Sequence, residues 1–361
     1  MNTKKAILVL ILLCVTLLSV IIYKTKVWQN TESLALEQVI YAFTPYNAYA
    51  NERDDIWLFV LEHLTENGAI DTNLVESSSG DVSLANGGEQ LSESMGLAML
   101  YAIEVNDLDL FKSLYSTLEN RFVNAHGLYA WRINTKDTSV ENTVNASVDD
   151  LRIYKALKMA SDKWSTDMFD STIKRLSGAL YQYCVKGQML LAYENGANEA
   201  PMVYYDLASL KLLSNDDHNW QSIYERGLNR ISNEMTDLPF FESTEGENFG
   251  AIENFLIVQY LAEAGYDVGS YVDFFMKELQ NNGLKGSYNL QGKTTTDIES
   301  PSVYGIVAYV GKLTSNDALY HLASEKLISL QVKEGIYSGG FVFVEKNEAY
   351  SFDQLYALLG L

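Results

Sequence analysis

An all-α fold, a ring of six helical hairpins or (α/α)6 toroid preceded by an N-terminal transmembrane helix, is what this chain predicts. Three observations carry it. Helical periodicity recurs from about residue 50 to the end, with no sustained strand alternation. The periodic runs number twelve and alternate between charge-bearing and charge-poor. Long, irregular connections precede the charge-poor runs, the place where function concentrates in compact domains.

The elements follow in chain order. Lys4 and Lys5 precede an uncharged stretch from Ala6 to Ile22, and Lys24 and Lys26 follow it. At ~1.5 Å per residue this stretch reaches roughly 25 Å, the short end for a membrane span. It shows no small-x-small cleavage site, so residues 1–24 read as an uncleaved anchor and 25–46 as a stalk. Residues 47–361 read as one domain, since no Pro/Gly/Ser-rich linker divides them. Its helical runs are Asp54–Leu64, Ser92–Val105, Leu108–Arg121, Asp149–Ser161, Thr166–Tyr183 and Asp206–Leu213, then Trp220–Met235, Glu247–Ala264, Ser270–Gln280, Pro301–Val310, Asp317–Leu330 and Phe352–Leu359. Even-numbered runs are rich in Gly, Ala, Leu and Tyr, and odd-numbered ones carry charge, as in Asp109-Leu110-Phe111-Lys112 and Lys277-Glu278. A helix apolar on most sides is buried and one with a polar face is outer, so the even runs form an inner layer. Antiparallel hairpins then gather all inner N-termini at one rim.

Composition narrows the function. A net charge of −21 with no basic block argues against binding nucleic acid. The two cysteines, Cys14 and Cys184, cannot form a disulfide within the folded domain, because Cys14 lies in the apolar anchor. The four histidines are scattered, with no metal-binding spacing; no metal and no cofactor are expected.

Carboxylates stand at two helix starts, Ser92-Glu93-Ser94 and Ser147-Val148-Asp149-Asp150. Helix N-termini favour anions, and two starts brought together hold paired carboxylates, the equipment of glycoside hydrolysis.

The motifs around these starts resemble those of glycoside hydrolase family 8, the inverting, endo-acting enzymes that include bacterial cellulases and chitosanases. Ser92-Glu93-Ser94-Met95-Gly96-Leu97-Ala98-Met99-Leu100 occupies the family's acid block. Leu128-Tyr129-Ala130-Trp131-Arg132 matches its Ala-Trp-Arg/Lys-Trp segment, and Asn145-Ala146-Ser147-Val148-Asp149-Asp150-Leu151 its Ser-Ala-Ser/Thr-Asp-Ala-Asp-Leu block. Tyr204-Tyr205-Asp206-Leu207-Ala208-Ser209 echoes the block of the general base, and Tyr350-Ser351-Phe352-Asp353-Gln354-Leu355 the C-terminal block. Three positions depart: Ser94 for glycine, Val148 for the first aspartate and Ser209 for arginine. The resemblance implies Glu93 as general acid, Asp206 as general base, and Asp150, Trp131, Tyr205 and Tyr129 as substrate-binding residues. Glu93 must then be protonated at working pH, which requires burial and the charge of Asp150 to outweigh the helix dipole.

The expected function is an extracellular, membrane-anchored hydrolase of a bacterial exopolysaccharide, associated with its synthesis or export complex. The alternatives are a non-catalytic glycan-binding or synthase-scaffolding protein with a decayed site, and a polysaccharide lyase, against which the scattered histidines count.

Overall fold

The computed structural model describes residues 48–75, 87–134, 143–244 and 246–361. The expected anchor (1–24) and stalk (25–46) lie outside these residues; among the described ones, no helix is long and apolar enough to cross a membrane. The described residues contain twelve α-helices: α1 (Ala50–His63), α2 (Ser92–Glu104), α3 (Leu108–Arg121), α4 (Ser147–Trp164), α5 (Asp170–Cys184), α6 (Leu207–Asp216), α7 (Gln221–Glu234), α8 (Ala251–Glu263), α9 (Gly269–Asn281), α10 (Pro301–Leu313), α11 (Asp317–Ser329) and α12 (Ser351–Gly360).

The even helices close a ring. Helix α2 packs on α4, α4 on α6, α6 on α8, α8 on α10, α10 on α12, and α12 back on α2. Outside it, α3 lies on α2, α5 on α4, α7 on α6, α11 on α10 and α1 on α12. Burial follows the expected alternation. Every residue of α10 is buried, whereas α7 buries only Ile223, Tyr224, Gly227 and Ile231, the stripe of an amphipathic outer helix.

The turns from inner to outer helices are short and have a local cause. Asn106 (φ 58°), Ser165 (φ 48°), Gly265 (φ 84°) and Ser315 (φ 54°) adopt left-handed backbone just past α2, α4, α8 and α10, the usual way to satisfy a helix's last carbonyls. Asp107 and Asn316 then cap α3 and α11 by accepting from Leu110 N and Leu319 N. Connections at the opposite face are long and carry four two-stranded antiparallel ribbons: β1 (Thr65–Glu66) with β2 (Ala69–Ile70), β3 (Glu89–Leu91) with β4 (Arg132–Asn134), β5 (Val185–Lys186) with β6 (Met189–Leu190), and β7 (Phe249–Gly250) with β8 (Ser287–Tyr288). Helix α8 begins at Ala251 rather than Glu247 because Phe249 and Gly250 pair with Tyr288 and Ser287.

Two glycines let the ring close. A Cβ on Gly305 would stand 2.4 Å from Tyr356 O, and one on Gly360 would stand 2.7 Å from Gly305 O. The backbones of α10 and α12 therefore touch, and no side chain fits between them.

Candidate active site

The inner-helix starts meet at the rim of long connections, and β3 delivers the chain into α2 there. Ser92 N donates to Trp131 O at 3.1 Å, and Ser92 Oγ donates to Asp149 Oδ2 at 2.9 Å. One serine thus ties the starts of α2 and α4 to the segment carrying Trp131. Ser94 Oγ shares a 3.0 Å hydrogen bond with Ser351 Oγ, tying α2 to α12. Between these two serines stands Glu93, half-buried on the ring's inner rim.

Burial first, and the charge of Asp149 second, push the Glu93 carboxyl up to about 7 against the opposing pull of Arg152. Asp149 is buried beside it and accepts from Arg152 Nη1 at 3.0 Å as well as from Ser92. Burial also raises Asp149, but Arg152 and both hydrogen bonds favour its ionised form. Of the pair, Asp149 is the one with a cation and two hydrogen bonds favouring its charged form. Tyr204, half-buried on the 3-10 turn Met202–Tyr204, is raised first by its burial and then by the nearby charges of Asp149 and Glu93.

Several expected residues are placed elsewhere. Asp150 was expected to touch the sugar and to raise Glu93. It is 0% exposed and accepts from Tyr129 N at 3.0 Å and Asn145 Nδ2 at 2.6 Å. It anchors the connection before α4. Consecutive helical residues point about 100° apart, so Asp149 faces Glu93 while Asp150 faces the wall. Tyr129 was expected in the groove and is fully buried, its hydroxyl donating to Glu119 with Arg175 alongside. Tyr205 is likewise buried, donating to Glu199 at 2.7 Å and accepting from Leu190 N at 3.1 Å. Both use polar tips to fasten connections, the ordinary behaviour of buried tyrosine. Trp131 is half-buried with the Arg132 guanidinium 4.5 Å from its ring centre.

Asp206, expected as the base, is the N-cap of α6 and 1% exposed. Its carboxylate accepts from Ser209 N at 3.0 Å and Ser209 Oγ at 2.7 Å, and pairs with Lys155 Nζ at 3.0 Å. Lys155 in turn reaches Glu263 at 2.6 Å. Burial opposes the charge on Asp206, yet Lys155 and Ser209 hold its carboxyl below the usual range. The carboxylate is ionised but enclosed in the ring wall, with no open face for a water. Capping and neutralising Lys155 account for both oxygens.

The sequence reading passed over Asp149 as a partner of the acid, Arg152 and Glu253. Arg152 follows Asp149 at helical spacing, and a glycine faces it: a Cβ on Gly96 would lie 3.4 Å from Arg152 Cδ and 3.2 Å from Ile153 Cγ1. Glu253 lies in the first turn of α8, is exposed, and belongs to no motif. The first turns of the inner helices hold the acids Glu93, Asp149, Asp150, Glu253 and Asp353. Asp353 is buried, accepting from Ser300 Oγ and Ser302 N. Of the five, only Glu253 is exposed.

A closed ring of helical hairpins with a proton-bearing glutamate at its rim is the frame of a glycan-cleaving enzyme. The chain belongs to glycosyl hydrolases family 8, whose model matches residues 33–219, and the members of this family are inverting glycoside hydrolases. A putative lipoprotein, YdaJ of Bacillus subtilis (strain 168), is 24% identical over 286 residues, covering 74% of this chain and 78% of that protein. Among solved structures, a novel alpha-amylase from Clostridium perfringens superposes with a TM-score of 0.78 at 29% identity, covering 88% of this chain and 98% of the other. PssZ from Listeria monocytogenes superposes with a TM-score of 0.65 at 20% identity, covering 84% and 93%, a likeness of fold.

Proposed function

We propose that the protein hydrolyses an exopolysaccharide outside the cell membrane, held there by residues 1–24, with Glu93 as general acid and Glu253 as general base. The observation that carries the reading is Glu93 itself, a rim glutamate still protonated to about pH 7. Inverting hydrolysis needs such an acid to protonate the leaving oxygen and a second, ionised carboxylate to activate a water on the opposite face of the sugar.

Two features favour Glu253 over Asp206 for the second role. Helix α8 is three steps from α2 in either direction around the ring, so a sugar lying between them presents opposite faces to the two. The α8 N-cap is Gly250, and a Cβ there would lie 2.2 Å from Glu253 Oε2. The Glu253 carboxylate thus occupies the space into which an N-cap side chain would project, the position that Asp206 fills on α6. The two catalytic carboxyl groups of an inverting enzyme stand roughly 6.5–9.5 Å apart, room for one water.

The uncharged stretch from Ala6 to Ile22 supports the tethering, and with it a substrate made by the same cell. Since one similar structure is that of an alpha-amylase, soluble starch belongs among the substrates tested beside the exopolysaccharide and carboxymethylcellulose. The native protein, Glu93→Gln and Glu253→Gln are compared for new reducing ends. Release by the native protein, with each variant reduced by at least about a hundredfold, is the expected result. Undiminished release by Glu93→Gln would remove the acid assignment. Binding of the exopolysaccharide by all three without release would favour the scaffolding role.

A further inference from the structure

The rim contains a second buried carboxylate that the acid–base pair leaves without a task. Asp149 is clamped from two sides, by Ser92 Oγ of α2 at 2.9 Å and by Arg152 Nη1 of its own helix at 3.0 Å. The clamp is built into the packing. Arg152 is buried, and its stem lies in the slot left by the missing side chain of Gly96. Its charged end stands beside the buried rings of Tyr260 from α8 and Tyr356 from α12. A buried arginine without an anion is costly, so Arg152 and the Ser92 hydroxyl favour the ionised form of Asp149 against the burial that opposes it. Asp149 is bonded to the Ser92 hydroxyl, the residue immediately before Glu93 at the start of α2, and its charge acts directly on Glu93.

We propose that Asp149 is a positioning residue for the reaction: held ionised by Arg152 and Ser92, it keeps the proton on Glu93 and so sets the upper pH limit of catalysis. This rests on Glu93 being the acid. The groups facing Glu93 are Asp149 and Arg152 from α4, Tyr204 from the turn before α6 and Tyr356 from α12, and Tyr260 from α8 stands beside Arg152. Lys155, one turn deeper on α4, is neutralised by Asp206 and Glu263. Asp149 is therefore the charged neighbour that favours the protonated acid, and Arg152 the one that opposes it. A family pattern with an aspartate at position 148 is replaced here by Val148, and Asp149 supplies the negative charge from one residue later.

The test needs no substrate. Full-length protein labelled with ¹³C at the glutamate side-chain carboxyl carbons is titrated by NMR, and the Glu93 resonance is assigned by its loss in Glu93→Gln. The native midpoint is expected near 7. In Asp149→Asn it falls by about one unit or more, the size expected for removing a like charge at close range. Asp149→Asn leaves Arg152 without its anion, so the double variant Asp149→Asn/Arg152→Met is measured beside it. There the midpoint also falls, by less, because an opposing cation leaves with the anion. In activity assays the high-pH limb of kcat/KM moves with the titration. An unmoved midpoint in both variants overturns the proposal, and a raised KM with an unmoved midpoint would make Asp149 a sugar ligand instead. Loss of turnover in Glu93→Gln decides the acid assignment separately.

Discussion

At the residue scale, the two aspartates expected to work on the sugar, Asp150 and Asp206, hold the frame together. Asp206 shows why sequence alone confuses the two roles. A base at a helix start and an N-cap at a helix start are the same residue type in the same place, and only the partners separate them. Here the partners are Ser209 and Lys155. Asp206→Asn should therefore act on stability before it acts on chemistry. Removing one member of a buried ion pair costs about 3–5 kcal/mol, and the low end is expected because Glu263 still neutralises Lys155. The pH dependence follows from the direction of the shift. A carboxyl held below its unfolded value contributes stability above that unfolded value, about 3.9, and the contribution is lost as pH falls through the folded value. Urea denaturation should show the full difference between native and Asp206→Asn at pH 7, shrinking below about pH 4. A variant of native stability with kcat selectively abolished would return Asp206 to the role of base.

At the element scale, the helices of the ring were legible, while the four small ribbons at the rim were not. Twelve periodic runs became twelve helices, and the alternation of charge-poor and charge-bearing runs became the inner and outer layers. Inner helices must be apolar all round and outer ones need only a stripe, so composition encodes the layer directly. What composition cannot encode is phase. Whether Asp149 or Asp150 faces the acid depends on where α4 starts, and it starts at Ser147, which is fastened to the later α5–α6 connection through Leu191 O and Ala192 O. Glu253 was invisible for a related reason: the strand pairing of Phe249 and Gly250 sets where α8 begins. Close approach is similarly hidden in the glycines. Gly305→Ala forces a methyl into the α10–α12 contact and should destabilise by about 1–3 kcal/mol, the usual range for overpacking. Gly178→Ala on outer helix α5, where a Cβ would meet nothing within 4 Å, should instead stabilise by about 0.4–1 kcal/mol. Paired melting curves of the two variants check the layering with one substitution type; equal effects would contradict it.

At the scale of the whole molecule, the ring sorts its connections into two faces, and most of the large exposed apolar side chains lie on one of them. Tyr193, Leu290, Ile298, Phe343, Val344 and Tyr350 are large, exposed and located in the long connections leading into inner helices. Scattered single apolar residues on a surface need no explanation, but these fall on the face where the acid lies. Tyr350 is the best placed. It is the N-cap residue of α12 and 39% exposed. Its neighbour Ser351 hydrogen-bonds Ser94, which adjoins Glu93. An exposed ring at that distance offers a flat apolar surface to the face of a sugar, a contact that buries area and fixes orientation without entering the chemistry. Tyr350→Ala should consequently raise KM for the polymer about tenfold, roughly the 1.4 kcal/mol of one stacked ring, with kcat and the melting temperature near native. Tyr350→Phe should restore KM, since the flat ring and not the hydroxyl makes the contact. If Tyr350→Ala lowers kcat instead and leaves KM alone, the ring helps hold the Ser351–Ser94 link behind the acid, and the polymer crosses the rim by another path.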